Sequence, residues 1–354
     1  MIKPTKTVLP NGLRIIAIPK PEAPAVTVMV LAEAGSKYEA KEESGLSHFI
    51  EHVLFKGTPK RPKAFDISSE LDALGAQSNA FTSQEYTGYY ATVWPKRFGK
   101  ALDVISDIYL NPLFDAEEIE KEKGVIIEEI NMYEDNPARQ VRDLFNELLH
   151  GDQPAGWSVL GTREHIKAMR RDQFVSYHQS HYVASSTVVV ISGSFDQETA
   201  LKQIAKKFSA ISQSLPAAKE PTLNAQQKPA ILVRSKDSDQ AHLVLGFKAY
   251  DLFDKREPAV DLLATVLGGG MSSRLFQKIR EEMGAAYYVR AANDTLTDHG
   301  ALEIGVGADT KRAKEVVKVI LEECRRIAAE PLPAPELSRV KDYIAGNLYL
   351  DLET

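Results

Sequence analysis

Several features that define whole classes of protein are scarce or missing in this 354-residue sequence. It has one cysteine, Cys324, so no disulfide framework can form within the chain, and a reducing compartment is expected. No stretch approaches the roughly 18 consecutive apolar residues that a membrane-spanning helix needs. Residues 1–6 lead into a strand-like run with no apolar leader segment. We therefore expect a cytoplasmic protein with no membrane partner.

Positive charge is not concentrated anywhere in the chain. The formal net charge is -6, with 43 Lys and Arg residues against 49 Asp and Glu residues, and no Lys/Arg-rich run is present. Because a basic patch is the electrostatic footprint of a nucleic-acid-binding protein, we expect no nucleic-acid partner. An apolar content of 44% and a charged content of 26% are typical of a globular protein.

The most informative stretch is the one between residues 45 and 58. No proline or glycine interrupts residues 46–56, and apolar residues recur at positions 46, 49, 50, 53 and 54. This spacing predicts an amphipathic helix that is opened by Ser47 and closed by Gly57.

That helix carries the pattern H-x-x-E-H. His48 and His52 are four residues apart and share one face, and Glu51 lies beside them. Two imidazoles at this spacing can bind one Zn²⁺, and a carboxylate that does not bind the metal can take a proton from water. The reverse order, H-E-x-x-H, is also known in zinc peptidases. A solvated helix face without metal is the alternative, although a chance match is on the order of one in a hundred for this length.

A catalytic zinc usually has three protein ligands, so a third donor has to come from elsewhere in the chain. The predicted helix over 115–136 carries seven glutamates, most of which form a solvated face. Glu122 and Glu129 are seven residues apart and share a face, as a metal ligand and a supporting carboxylate would. The pattern by itself does not choose between Glu128 and Glu129.

The sequence contains a predicted linker, after which the order of predicted strands and helices repeats. Residues 212–228 are rich in Pro, Ala and Gln, and the order of strands and helices then repeats, beginning with a predicted strand at 230–233. We predict an N-terminal domain at 1–211 and a second copy at 229–354 that is shorter than the first. The glycine run at 268–270 raises nucleotide binding as an alternative function, but no Lys-Ser/Thr pair follows it.

Together these stretches resemble the pitrilysin/insulinase class (M16) of zinc metallopeptidases, in its bacterial branch related to the mitochondrial processing peptidase beta subunit. The resemblance covers nearly the whole chain. A third carboxylate, Glu129, follows His52 after 76 intervening residues, and this spacing makes the combination highly specific. The matching stretches are residues 45–58, 79–83, 122–130, 268–280 and 284–287.

The resemblance implies a role for each matched residue. His48, His52 and Glu129 would bind one zinc ion per chain, with Glu51 as the general base. Glu122 would support the site from behind. The other matched residues would bind the substrate: Asn79 and Ala80 on a strand that accepts an extended peptide, and Arg280 and Tyr287 near the scissile bond, where they would stabilise the oxyanion.

The resemblance also implies the fold and the assembly. Each domain would be α+β, with an antiparallel sheet and helices on one face, and the second domain would be incomplete at its C-terminus. Such proteins pair into a chamber that admits peptides or unfolded segments, so we expect a homodimer, or a heterodimer with a related subunit. The alternative function is a non-catalytic assembly subunit of the same fold.

Overall fold

The computed structural model describes residues 3–224 and 226–352 and contains two β-sheets, one in each of two units. The first unit comprises Met1–Met132 and Gln153–Glu220, and the second comprises Tyr133–Asp152 and Pro221–Thr354. The outermost residues of the predicted domains and one residue of the predicted linker lie outside the described residues, namely 1–2, 353–354 and 225.

The first unit is built on a six-stranded sheet. Its strands are β1 (Thr5–Val8), β2 (Arg14–Pro19), β3 (Val26–Ala32), β4 (Gln77–Thr82), β5 (Thr87–Val93) and β6 (Thr187–Gly193). They lie in the order β1-β2-β6-β3-β5-β4, which leaves β4 at one edge. All neighbouring strands are antiparallel except β2 and β6, which are parallel. Buried residues alternate along β3 and β6, as the two-residue period of a strand with one core face requires.

Eleven α-helices occur among the described residues. They are α1 (Leu46–Val53), α2 (Ala64–Ala73), α3 (Phe98–Leu110), α4 (Ala116–Glu134), α5 (Pro137–His150), α6 (Arg163–Ala168), α7 (Arg171–His181), α8 (Gln197–Lys207), α9 (Glu257–Gly268), α10 (Ala313–Ala329) and α11 (Ala334–Asp351). None of them is both long enough and apolar enough to cross a membrane.

The start of α1 is held by a carboxylate from outside the helix. Gly45 takes a left-handed conformation with φ of 95°, and the buried Glu39 accepts hydrogen bonds from the backbone N–H groups of Gly45 (2.8 Å) and Ser47 (2.7 Å). The Ser47 side chain instead bonds to Tyr177. The helix therefore begins at Leu46, with N-terminal N–H groups satisfied by Glu39 rather than by Ser47, and it ends at Val53, before the predicted stop at Gly57.

The second unit repeats the strand order of part of the first. Its strands β7 (Gln240–Ala249), β8 (Ala286–Thr295) and β9 (Gly300–Asp309) form an antiparallel sheet in the order β7-β9-β8, which matches β3-β5-β4. The helix α9 and a π-helix (Phe276–Glu282) lie between β7 and β8, as α1 and α2 lie between β3 and β4. The predicted α+β class is confirmed, with sheets and helices in both units.

Two parts of the chain differ from the predicted organisation. Helix α5 was placed in the N-terminal domain, but Phe145 and Leu149 pack against Val244 and Ala301 of the second unit. The ring of Phe145 occupies the space above Gly246, where a Cβ atom would lie 2.1 Å from the ring. The strand predicted at 230–233 is not formed, since these residues pair with no neighbour and are exposed.

The buried Glu39 gives a prediction about stability and pH. Burial raises the pKa of Glu39 from 4.5 to about 7, against the hydrogen bonds from residues 45 and 47 that lower it. The folded chain then binds this proton more tightly than the unfolded chain, so the stability that Glu39 contributes is present below pH 4.5 and is lost as the pH rises through 7. Relative to Glu39→Gln, the parent should lose about 3 kcal/mol of unfolding free energy over this range.

Urea denaturation of the parent and of Glu39→Gln at pH 4.5 and pH 8 measures this difference. Glu42→Gln changes an exposed carboxyl three residues away and serves as the control. A free-energy difference between parent and Glu39→Gln that is the same at both pH values would contradict the prediction.

Candidate metal centre

Helix α1 has one face in the core and one face that presents histidines. Leu46, Phe49 and Ile50 are completely buried, and the ring of Phe49 meets that of Phe174 on α7 edge to face at 4.7 Å. The opposite face carries His48 and His52, whose ring centroids are 4.7 Å apart. The burial of the apolar face therefore fixes the direction of both imidazoles.

Helix α4 brings a carboxylate to the same point. Oε2 of Glu129 lies 3.5 Å from Nε2 of His48 and 3.5 Å from Nε2 of His52. Ligand atoms of these three residues all lie within 4.8 Å of one another, the only such group of His, Cys, Asp or Glu found in the described part of the chain. Tetrahedral zinc with bonds of about 2.0–2.1 Å separates its ligand atoms by about 3.4 Å, so the donor set fits zinc.

The structure also distinguishes the two adjacent glutamates of α4. Glu128 is exposed, whereas Glu129 is half-buried and points at the histidines. Successive residues of a helix are about 100° apart, so only one of the two can face α1.

Two residues stand behind His52. Oε1 of Glu122 lies 2.9 Å from Nδ1 of His52, and its other oxygen lies 2.6 Å from the Lys56 ammonium. A carboxylate at Nδ1 accepts that proton and leaves the Nε2 lone pair for a metal. Sequence analysis selected Glu122 but missed Lys56, although its position four residues after His52 was a usable signal.

The charges of the metal-free cluster are asymmetric. Burial and the neighbouring His52 lower the pKa of His48 to about 4, so His48 is neutral at neutral pH. Burial also disfavours a charged His52, but its hydrogen bonds to Glu122 and Glu129 prevail and raise its pKa to about 9. Since a metal needs both imidazoles neutral, binding of a divalent cation would displace the proton of His52.

Glu51 stands next to this cluster without being part of it. One of its oxygens accepts a hydrogen bond of 2.5 Å from the Thr82 hydroxyl on β4. Burial raises the pKa of Glu51, and the Thr82 hydrogen bond opposes that rise. A half-buried carboxylate beside three potential ligands has the position required of a general base.

The strand β4 has a free edge next to the centre. Asn79 and Ala80 lie on this outermost strand, and the side chain of Asn79 accepts a hydrogen bond of 2.9 Å from the Ala80 N–H. The Ala80 N–H is therefore directed away from β5. Such an edge can pair with a further strand.

The second unit places Arg280 and Tyr287 close to each other. Arg280 belongs to the π-helix, and Tyr287 is the extra residue of a β-bulge in β8, where it is 73% exposed. The Arg280 guanidinium lies 5.6 Å from the Tyr287 ring centroid. Both irregularities are frequent at functional sites, where they re-aim a side chain.

The glycine run at 268–270 has a packing role at its first position. Gly268 is the last residue of α9, and a Cβ atom on it would lie 2.3 Å from the backbone nitrogen of Ala291. The close approach of α9 to β8 requires this glycine, which accounts for the first residue of the run without a bound nucleotide.

The fold and the donor set define a class: a duplicated α+β chain with a cluster of two histidines and one glutamate on its first unit that could hold a metal ion. The family model described as "Insulinase (Peptidase family M16)" matches residues 14–163, and that described as "Peptidase M16 inactive domain" matches residues 168–344. The chain belongs to the insulinase family, peptidase family M16, which confirms the resemblance seen in the sequence.

Curated relatives extend over almost the whole chain. A protein of Streptomyces coelicolor named as an uncharacterized zinc protease is 36% identical over 356 residues, covering 98% of this chain and 77% of the relative. A Bacillus subtilis protein with the same description is 35% identical over 346 residues, covering 97% of this chain and 83% of the relative.

Solved structures agree on the fold. A protease from Helicobacter pylori has a TM-score of 0.92 at 21% identity and covers 100% of this chain and 87% of its own. A peptidase M16 inactive domain from Pseudomonas fluorescens has a TM-score of 0.91 at 19% identity, and the match covers 98% of this chain and 84% of the Pseudomonas chain.

The two glutamates of α4 give a matched test of the ligand set. Glu129→Ala should weaken zinc binding by more than ~100-fold, because it removes one of three ligands, whereas Glu128→Ala should bind zinc like the parent. Competition with a chromogenic chelator measures both dissociation constants. Equal affinities for the two variants would remove Glu129 from the ligand set.

Proposed function

We propose that this chain is a zinc-dependent endopeptidase that hydrolyses peptides or unfolded polypeptide segments. The observation that carries the proposal is the convergence of His48, His52 and Glu129 on one point with Glu51 beside them. The names of the relatives as zinc proteases support the same reaction class.

The chain's own residues account for the proton transfers of peptide hydrolysis. Zinc held by the two histidines and Glu129 would supply Lewis acidity, which lowers the pKa of water and polarises the carbonyl. Glu51 takes a proton from the attacking water as the water oxygen bonds to the carbonyl carbon. It then gives that proton to the amine as the C–N bond breaks.

Substrate binding is proposed at the edge of β4. An extended peptide added as a strand would form backbone hydrogen bonds with the edge around Asn79 and Ala80, which favours varied sequences over one motif. Folded proteins do not present a free extended segment of this kind, so peptides and unfolded segments are the proposed substrates. Arg280 and Tyr287 are proposed to bind the substrate carbonyl and stabilise its developing charge.

We also propose that the chain acts as a homodimer in the cytoplasm. One chain carries both the metal-binding set and the Arg280–Tyr287 pair, so a second, different subunit is not needed to supply either, although a related subunit is the alternative partner. The single cysteine suits a reducing compartment. All four residues of the metal and base set are present, which favours catalysis over the non-catalytic assembly role.

Variants of Glu51 and His52 distinguish loss of the general base from loss of the metal. Glu51→Gln should keep zinc and lose nearly all turnover, because an amide does not accept the proton from water. His52→Ala should lose zinc as well as turnover. Hydrolysis of a quenched fluorescent, unstructured peptide and zinc per chain by mass spectrometry measure both effects, with a chelated parent sample as the control. Parental turnover in Glu51→Gln would refute the assignment of the base.

Tyr287 gives an independent test in the second unit. Tyr287→Phe removes a hydroxyl from an exposed ring and should lower kcat by roughly 10- to 100-fold, with little change in stability. Tyr349→Phe makes the same change on another exposed tyrosine and serves as the control. An unchanged kcat for Tyr287→Phe would exclude its hydroxyl from oxyanion stabilisation.

A further inference from the structure

The carboxylate of Glu51 needs an external constraint. A glutamate on a helix has three side-chain torsions, and ordering a free one costs up to about 2 kcal/mol of conformational entropy. Catalysis by a general base requires the carboxylate to be within hydrogen-bond reach of the water, and small misplacements cost rate. Among the described residues, the hydrogen-bond donor seen at Glu51 is the Thr82 hydroxyl, at 2.5 Å.

The position of Thr82 is fixed by its strand pairing and by the ion pairs of the turn that follows it. Thr82 is the last residue of β4 and pairs with Thr87, the first residue of β5. The turn between them carries Glu85, which is buried and binds the ammonium groups of Lys37 (3.2 Å) and Lys219. Lys37 is 1% exposed, so this ion pair is a firm internal anchor for the turn.

The backbone of the same segment adds a second anchor. The Lys37 N–H donates a hydrogen bond of 2.9 Å to the Gln84 carbonyl, and Gly35 lies so close to the turn that a Cβ atom there would be 2.4 Å from the Ser83 carbonyl oxygen. Two residues further along, Glu39 holds the start of α1. Residues 35–39 thus tie the hairpin that carries Thr82 to the helix that carries Glu51.

From this arrangement we infer that Thr82 is a positioning residue, whose hydroxyl fixes the Glu51 carboxylate for proton transfer. The inference rests on the proposed peptidase function. One carboxylate oxygen is held by the hydroxyl, which leaves the other to accept the proton of the attacking water. Because side chains alternate along a strand, Ala80 lies on the same face of β4 as Thr82.

The test compares three conservative variants with the parent. Thr82→Val removes the hydroxyl at nearly constant volume, and Thr82→Ser keeps it. Thr92→Val makes the same change on β5, where Thr92 bonds to Thr27 at 2.8 Å and not to Glu51. For each we would measure kcat and KM on a quenched fluorescent, unstructured peptide, zinc per chain and melting temperature, and determine crystal structures of the parent and of Thr82→Val.

Thr82→Val should lower kcat by about 10- to 100-fold with KM and zinc content unchanged, and Thr82→Ser should recover kcat to within about 3-fold of the parent. Thr92→Val should keep the parental kcat. The Glu51 carboxylate should leave its parental position in the Thr82→Val crystal.

The opposite results are equally distinct. Parental kcat in Thr82→Val, or an equal loss in the Ser and Val variants, would overturn the role of the hydroxyl while leaving the peptidase function in place. A parent that binds zinc but hydrolyses no peptide would overturn the proposed function instead. In that case the crystal structures still decide, since a Glu51 that has not moved in Thr82→Val would overturn the positioning role.

Discussion

Two imidazoles and a carboxylate meet in a space of less than 5 Å on facing helices, and the surroundings of this cluster follow from the charge it contains. Glu51, Glu122 and Glu129 add three negative charges when ionised, and Lys56 supplies one positive charge. Two negative charges therefore remain, and in the metal-free chain a protonated His52 offsets only one of them. A divalent cation bound by neutral imidazoles would balance both remaining negative charges. The charge of the cluster and its geometry therefore both favour a divalent metal ion.

This cluster depends on the placement of α1, which is too short to be stable by itself. Its apolar face packs against α7 through Phe49 and Phe174, and its N-terminus is held by the buried Glu39. The buried Glu39 destabilises the fold at high pH, because a carboxyl whose pKa is raised to about 7 costs unfolding free energy when it is ionised. The fold therefore loses some stability at neutral pH and fixes the start of the helix that carries His48, Glu51 and His52, three of the four residues of the proposed metal and base set.

Local periodicity and the family resemblance together predicted much of the site, and their limits have physical reasons. His48 and His52 share a face whatever surrounds α1, so the sequence was sufficient to pair them. Only the resemblance chose Glu129 over Glu128, because that choice depends on the rotation of α4 against α1, which is a tertiary property. Thr82 was missed for a similar reason: nothing in its own sequence neighbourhood places it opposite Glu51.

The differences between the predicted organisation and the observed contacts also have a tertiary origin. Helix α5 groups with the second unit by its contacts, and its sequence could not indicate this because its partners, Val244 and Gly246 among them, lie about a hundred residues further along the chain. Residues 230–233 have strand propensity, but a strand is stabilised by pairing and packing, and this segment has no neighbouring strand among the described residues. Propensity without a partner was not sufficient to form the strand.

The two units share a strand order and differ in what they carry between equivalent strands. Between β3 and β4 lies α1 with its histidines, whereas between β7 and β8 lie α9, which has no histidine, and the π-helix with Arg280. The same topological position thus carries two of the three proposed metal ligands in one copy and a proposed substrate-binding cation in the other. The irregular elements occur in the second copy, where the bulge at Tyr287 directs an exposed phenol away from the regular pleat.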